Sequence, residues 1–283
     1  MRSGDSGTVN VRPAANRGRR VRRIVRRWVP QALINLKRRR AESQALARAP
    51  RRACDTSNLA TTLPQLRDTP EWPRIAEAVA FGPSRASAVN PGDQRVVYSL
   101  ARTLAPTSVL EIGTNVGGST VMFAAAVRDA GHVTTVDIVD VNGSDGPART
   151  VGCETPEELL RRCQLENVTF VTSRSTEFMR HCNERFDLIF LDGAHEADVV
   201  YEEVPLACSL LKPGGLILLH DMFPDLRPLW SDGKVIPGPW LAIERLRREG
   251  AALQVTPLGE LPWTTKQGSR RTSLAILTRA QSR

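Results

Sequence analysis

The sequence has no run of eighteen apolar residues and no secretory hydrophobic region, so it predicts neither a transmembrane helix nor a signal peptide. It also lacks any Cys-x-x-Cys pair. Its five cysteines, Cys54, Cys153, Cys163, Cys182 and Cys208, argue against a disulfide framework or a zinc site and for reduced, intracellular thiols. The dinucleotide fingerprint Gly-x-Gly-x-x-Gly is missing, which counts against a nicotinamide-dependent oxidoreductase. Acidic residues are scarce in one place only. Residues 1–52 hold 16 Lys/Arg against 2 Asp/Glu, whereas the remaining chain holds 23 against 28. The formal charge of +9 therefore describes a basic arm on a mildly acidic body.

The arm is patterned. Residues 1–18 are mostly Gly, Ser, Asn and Arg with almost no aliphatics, a composition that does not fold by itself. From Arg19 to Arg40, Val21, Ile24, Val25, Trp28, Val29, Leu33 and Leu36 recur near helical spacing, and Pro30 is expected to divide the stretch into two short helices. A basic helix with Trp at its apolar boundary suits an anionic membrane surface. It suits equally a helix docked on the body's own core, or a solvated tail. An organellar transit peptide is a weaker reading because Ser is sparse. Nucleic acid is disfavoured, since no recognised module follows and the body is acidic. The expected organisation is an arm over 1–52, a loop-rich lead-in or cap over 53–92 and one α/β domain over 93–283. Cytoplasmic placement follows, with peripheral contact at the inner membrane face where residues 19–40 take the membrane-surface alternative. A homo-oligomer stands open.

The body is organised around Val109-Leu-Glu-Ile-Gly-Thr-Asn-Val-Gly-Gly-Ser-Thr120. Val109, Leu110 and Ile112 read as a buried parallel strand, Gly113, Gly117 and Gly118 punctuate a turn, and Ser119 opens an Ala-rich helix. Such a cradle lets backbone N–H groups approach a ligand closely. Glu111 at the strand end would repel a pyrophosphate and suits a ligand carrying a cationic amine or sulfonium. An ordinary strand-to-helix turn is the plain alternative.

Further along, His132–Val139 predicts a second strand ending in Asp137, which lies 24 residues after Gly113 and is placed to accept hydrogen bonds from ribose hydroxyls. Asn167–Thr172 is a third strand, followed by Ser173. Phe186–Leu191 is a fourth, delivering Asp192-Gly-Ala-His195, and Leu216–Leu219 a fifth, delivering His220-Asp221. Ligands of open parallel sheets bind off these carboxyl ends. Four such groups at two strand ends point to a site, although any one alone reads as a satisfied polar residue. Ala252–Thr256 and Ser273–Thr278 have the spacing of a closing antiparallel hairpin.

Glu-x-Gly-x-x-x-Gly resembles motif I of the class I S-adenosylmethionine (SAM) dependent methyltransferases. Asp-Gly-x-His195 and Pro-Gly-Gly…His-Asp221 look like blocks of a bacterial small-molecule methyltransferase family related to the catechol and macrolide-sugar O-methyltransferases. The resemblance covers roughly residues 90–222. It implies an α/β, Rossmann-like, doubly wound seven-stranded sheet with an antiparallel last strand. It also implies a cofactor site of Glu111, Gly113, Thr114, Asn115, Gly117, Ser119, Asp137, Asp192 and, beside the adenine, Ser173. In those relatives carboxylates after the fourth and fifth strands bind Mg²⁺, and Asp192 and Asp221 occupy the matching positions. The expected activity is O-methylation of a hydroxyl on a small molecule, a sugar or a phenol, with Asp192 and His195 as catalytic residues and His195 as general base. Two departures weaken the metal assignment: Met222 stands where the catechol type has Asn, which leaves a third ligand missing or supplied by His220 or water, and Ala197 stands where relatives carry Tyr. A membrane-peripheral SAM-binding protein without catalysis is the competing reading.

Overall fold

The computed structural model of the protein describes residues 29–66, 69–79 and 89–281. In chain order its elements are α1 (Gln31–Arg48), α2 (Trp72–Ala78), α3 (Pro91–Leu104), β1 (Ser108–Ile112), α4 (Gly118–Val127), β2 (His132–Asp137), α5 (Pro147–Thr150) and α6 (Pro156–Arg162). They continue with β3 (Val168–Thr172), α7 (Ser175–His181), β4 (Phe186–Leu191), α8 (Ala197–Leu210), β5 (Leu211–Leu219), α9 (Gly238–Arg248), β6 (Leu253–Pro257) and β7 (Ala275–Arg279).

One seven-stranded sheet runs β3-β2-β1-β4-β5-β7-β6. The first five strands are parallel and β7 runs antiparallel to both neighbours. β1 and β4 sit centrally with both faces covered, which is why their sequences are nearly unbroken apolar runs. Edge strand β3 (Val-Thr-Phe-Val-Thr) is only partly buried and mixes polar with apolar residues. Each face of the sheet has its own core. Val109 of β1 packs with Val96, Leu100, Phe123 and Leu159 of α3, α4 and α6, while Leu110 and Ile112 pack with Val200, Val204 and Ile243 of α8 and α9. The register Ile112↔Leu191↔Leu219 brings β1, β4 and β5 to the same edge, so Gly113, Asp192 and His220 emerge side by side.

α1 belongs to the second face. Leu46 is buried in that core, Asn35 donates to the Gly233 carbonyl at 2.8 Å, and Glu42 accepts the Ala197 N–H at 2.7 Å, capping the start of α8. Arg245 of α9 donates to the carbonyls of Leu46 and Ala49. Pro30 stands at the helix start, because a proline lacking its own N–H is tolerated there and not further in. Residues 31–48 are thus a docked helix, and those of the amphipathic pattern before Val29 lie outside the described residues. No helix among the described residues is long and apolar enough to cross a membrane.

Several boundaries differ from the sequence expectation. Gly92-Asp93 reads in the sequence as the cap of a helix to Leu104, yet the cap of α3 is Asn90, whose side chain accepts from the N–H groups of Gly92 and Asp93. β5 begins at Leu211, not Leu216. Pro213-Gly214-Gly215 reads as a turn, yet Leu211 pairs with Phe186, and the Gly215 carbonyl accepts from Ala60 of the lead-in at 2.9 Å. Asp145 to Cys153 reads as an irregular excursion, yet it contains the short helix α5.

Candidate active site

A cavity of about 810 Å³ opens at the carboxyl edge of β1, β2 and β4. Gly113, Asn115, Asp137, Ser173, Asp192 and His195 all line it, so residues from four separated stretches meet at one place. Gly113 has φ +100°, and a Cβ there would stand 2.5 Å from the Asp192 carbonyl oxygen. Only glycine lets the first turn pass so close to the end of β4. Asp137 accepts the Asn115 N–H at 2.9 Å through Oδ2, which ties the end of β2 to the glycine turn.

The other expected cofactor residues lie behind this wall. Thr114 is buried, its hydroxyl 2.6 Å from that of Thr135; Gly117 packs on Pro156; and Ser119 is buried at the start of α4. Glu111 shows the clearest difference from expectation. It is 0% exposed and does not line the cavity; its Oε2 accepts from Thr120 at 2.5 Å and Thr135 at 2.7 Å. Strand alternation explains this: Ile112 points to the cavity face, so Glu111 points with Val109 to the α3–α4 face. Burial pushes its carboxyl up to about 7, against the opposing pull of the Ser119, Thr120 and Thr135 hydroxyls, and Asp192 adds to the rise. Glu111 therefore anchors the start of α4 beneath the turn.

At the ends of β4 and β5 stands a cluster of acids around one imidazole. His220 Nδ1 is 2.9 Å from Asp192 Oδ1 and 3.5 Å from Asp221 Oδ1, and its Nε2 is 3.4 Å from Asp93 Oδ2. Burial alone would lower the imidazole, but Asp192 and Asp221 outweigh it and hold His220 well above the usual imidazole range. Burial would raise the Asp221 carboxyl; His220 and His195 prevail and lower it. Asp221 sits at φ +54° and is 9% exposed. Its Oδ2 lies 3.3 Å from Nδ1 of His195, whose side chain is 49% exposed and faces the cavity. α9 starts directly against this loop: a Cβ on Gly238 would fall 1.9 Å from the His195 carbonyl oxygen.

One ligand atom each from Asp192, His220 and Asp221 lies within 4.8 Å of the others, a set able to hold a metal ion. The sequence pairing of Asp192 with Asp221 is thus met in space, with His220 as the third donor. Sequence reading passed over Asp93, seen only as a helix start, and Ser175 and Thr176, which line the cavity two and three residues beyond Ser173. It also missed Ala49, Pro50 and Arg52, the part of the arm that walls the cavity. Arg52 is held there by Glu202 at 2.8 Å and by Tyr201, whose hydroxyl accepts the Arg52 N–H at 2.9 Å.

Five parallel strands closed by an antiparallel β7 between β5 and β6, with acidic groups at the ends of β2 and β4, define the class I methyltransferase fold. Residues 110–222 match the family model described as a methyltransferase domain. A protein of Mycobacterium sp. (strain JLS), named as a candidate O-methyltransferase, is 28% identical over 148 residues, which are 48% of this chain and 57% of that protein. The chain thus spans little more than half the length of the curated relative it matches. Among solved structures, the O-methyltransferase from Bacillus cereus in complex with SAH superposes with a TM-score of 0.52 at 18% identity, covering 76% of this chain and 92% of that one. TomG, an O-methyltransferase from Streptomyces achromogenes involved in tomaymycin synthesis and solved with SAM, superposes at 0.51 and 17% identity with the same coverages.

Proposed function

We propose that this protein is a SAM-dependent methyltransferase that methylates a hydroxyl of a small molecule. The observation that carries the reading is the convergence of Asp137, the Gly113 turn, Asp192 and His195 on one cavity. Asp137 is placed for ribose hydroxyls, the glycine turn for close backbone approach, and His195 for the acceptor. The likeness of the domain to O-methyltransferases, two of them solved with SAM or SAH, supports the choice of cofactor and reaction.

Methyl transfer is a displacement in which the acceptor oxygen attacks the methyl carbon as the sulfonium sulfur leaves with its electron pair. The protein's principal contribution is alignment, worth roughly 7–11 kcal/mol when the geometry is right. The hydroxyl proton must also go somewhere. His195 faces the cavity and is oriented by Asp221, an imidazole–carboxylate pair of the kind that serves as general base, worth about 10²–10⁴-fold. Asp192, Asp221 and His220 would hold a divalent cation, and an imidazole in the set suits a transition metal better than Mg²⁺, which takes oxygen ligands. Bound there, such an ion supplies Lewis acidity that makes the acceptor hydroxyl easier to deprotonate. The test is calorimetric titration of S-adenosylhomocysteine and NAD into the full chain, followed by turnover with a panel of sugar and phenolic acceptors. Affinity for NAD alone would overturn the assignment.

The outward side of α1 supports the membrane-surface reading for this part of the arm. Leu33 and Leu36 are 50% and 44% exposed beside the exposed basic run Lys37–Arg40. Apolar residues flanked by Lys and Arg suit an anionic lipid surface.

A further inference from the structure

Glu203 on α8 is a buried carboxyl group that the reaction above does not use. It is 1% exposed, and its Oε1 accepts a 2.5 Å hydrogen bond from the hydroxyl of Ser175, the first residue of α7. Ser175 in turn lines the cavity, as do Asp137, Ile138, Ser173 and Thr176. A serine hydroxyl has one proton and two lone pairs. With the proton directed at Glu203, the Ser175 oxygen can offer the cavity lone pairs only. Ser175 then accepts from a ligand and does not donate to it. Burial pushes the Glu203 carboxyl up to about 7, the Ser175 hydroxyl pulls it back, and Glu196 adds to the rise. A ligand amine that uses the Ser175 lone pairs favours the ionised carboxylate and so the arrangement seen.

The distinction matters for a purine. Adenine carries an amine at C6, a donor, whereas a 6-oxo purine carries an acceptor there. We propose that Glu203 is a specificity-determining positioning residue: by taking the Ser175 proton it fixes Ser175 as an acceptor and selects a 6-amino over a 6-oxo purine in the bound nucleoside. This inference rests on the reading that the cavity binds SAM and its product, with the ribose at Asp137 and the base beyond it. A group that acts on the ligand only through the polarity of another side chain leaves a signature that packing does not, a change in the ratio of two affinities.

The experiment compares binding of S-adenosylhomocysteine and its 6-oxo (inosine) analogue to the full chain above neutrality, by calorimetry. Wild type should prefer the amino compound by on the order of 10–100-fold, the usual consequence of facing two acceptors without a proton between them. Glu203→Met, which keeps volume but cannot accept, frees the Ser175 proton and should bring the two affinities within a few-fold of each other. Ser175→Ala should do the same, and the double variant should show no further change in ratio, as expected for residues acting as one unit. Equal weakening of both ligands in Glu203→Met, with the ratio intact, would show Glu203 to be packing only. A wild type without preference would also overturn the proposal. If S-adenosylhomocysteine does not bind wild type at all, the cofactor reading itself falls and takes this inference with it; if it binds and the ratios stay fixed, only this inference falls.

Discussion

His220 Nδ1 lies 2.9 Å from Asp192 Oδ1, so one imidazolium joins the carboxyl ends of β4 and β5. The contact is an ion pair by distance, with the imidazole N–H off the line of an aligned hydrogen bond. With Asp93 and Asp221 on its other sides, His220 supplies the positive charge that lets three carboxylates share a small volume. The same position is the one a metal ion would use to neutralise them, and this makes the metal question a competition between a proton and a cation.

Metal dependence follows from that competition. Removing divalent ions with EDTA should lower turnover, and Mn²⁺ should restore it better than Mg²⁺. Because Asp192 and Asp221 hold His220 protonated well above the usual imidazole range, its proton must leave before Nδ1 can ligate. Metal affinity should therefore rise with pH, and calorimetry should show proton release on binding. Asp192→Ala and Asp221→Ala should each abolish the metal response. Full activity in excess EDTA would remove the metal and leave the His195–Asp221 pair as the whole of the proton chemistry.

Gly238 gives a way to move His195 without touching its ring. In Gly238→Ala the new Cβ would fall 1.9 Å from the His195 carbonyl oxygen and 2.9 Å from the Ala197 N–H, so the loop between β4 and α8 must shift. A displacement of this size should cost on the order of 10²-fold in kcat, since alignment carries much of the rate. S-adenosylhomocysteine affinity should change far less, because Asp137 and the Gly113 turn are held by β1 and β2 and not by the loop that moves. An unchanged kcat would show that His195 is not the base.

The parts of this site that the sequence displayed are those fixed by a single strand and its next turn. Gly113, Asp137, Asp192 and Asp221 stand immediately after apolar runs, and parallel-strand topology alone carries such residues to one edge. The inward direction of Glu111 was not legible because a strand buried on both faces has no polar side to show which way its odd residues point. Ser175, Arg52 and Asp93 were missed for a different reason. Their neighbours, Glu203, Tyr201 and His220, are 28, 149 and 127 residues away in the chain, and no local pattern records such packing. The arm was ambiguous in the same way: a basic amphipathic helix looks alike whether its apolar side meets lipid or α8.

Glu111 predicts a pH signature in the ligand-free protein. Its folded value of about 7 stands above the ordinary 4.5, so the group favours folding while protonated. That contribution is fully present below about pH 4.5 and is lost as pH rises through about 7. In Glu111→Gln the titration is gone, while an oxygen remains for Thr120 and Thr135. The melting temperature of the variant relative to wild type should therefore climb between these two pH values, by a stability difference on the order of 2–3 kcal/mol. A difference that stays flat across the range would mean that Glu111 is ionised at little cost.

The arm should divide at Pro30. Deleting residues 1–28 leaves α1, the Glu42 cap on Ala197 and the Ala49–Arg52 wall in place, so S-adenosylhomocysteine affinity should be unchanged. The deleted segment carries 9 of the 16 basic residues of the arm, and Trp28 with them. Binding to anionic vesicles should consequently fall and what remains should weaken further with added salt, as a contact between a basic helix and charged headgroups must. Deleting residues 1–52 is a different experiment. It uncovers the α8–α9 surface around Leu46, frees the Tyr201 hydroxyl from Arg52 and opens the cavity wall. Losing one buried Leu and its surrounding polar contacts should lower stability by about 2–5 kcal/mol, and ligand affinity should drop with it. Replacing Leu33 and Leu36 by Ser in the full chain separates the two roles of α1, because both side chains face outward. If vesicle binding falls while the melting temperature holds, the outer side of the helix meets lipid and its inner side holds the body. Equal vesicle binding by the full chain, the 1–28 deletion and the Leu33→Ser/Leu36→Ser variant would leave α1 as a docking helix alone.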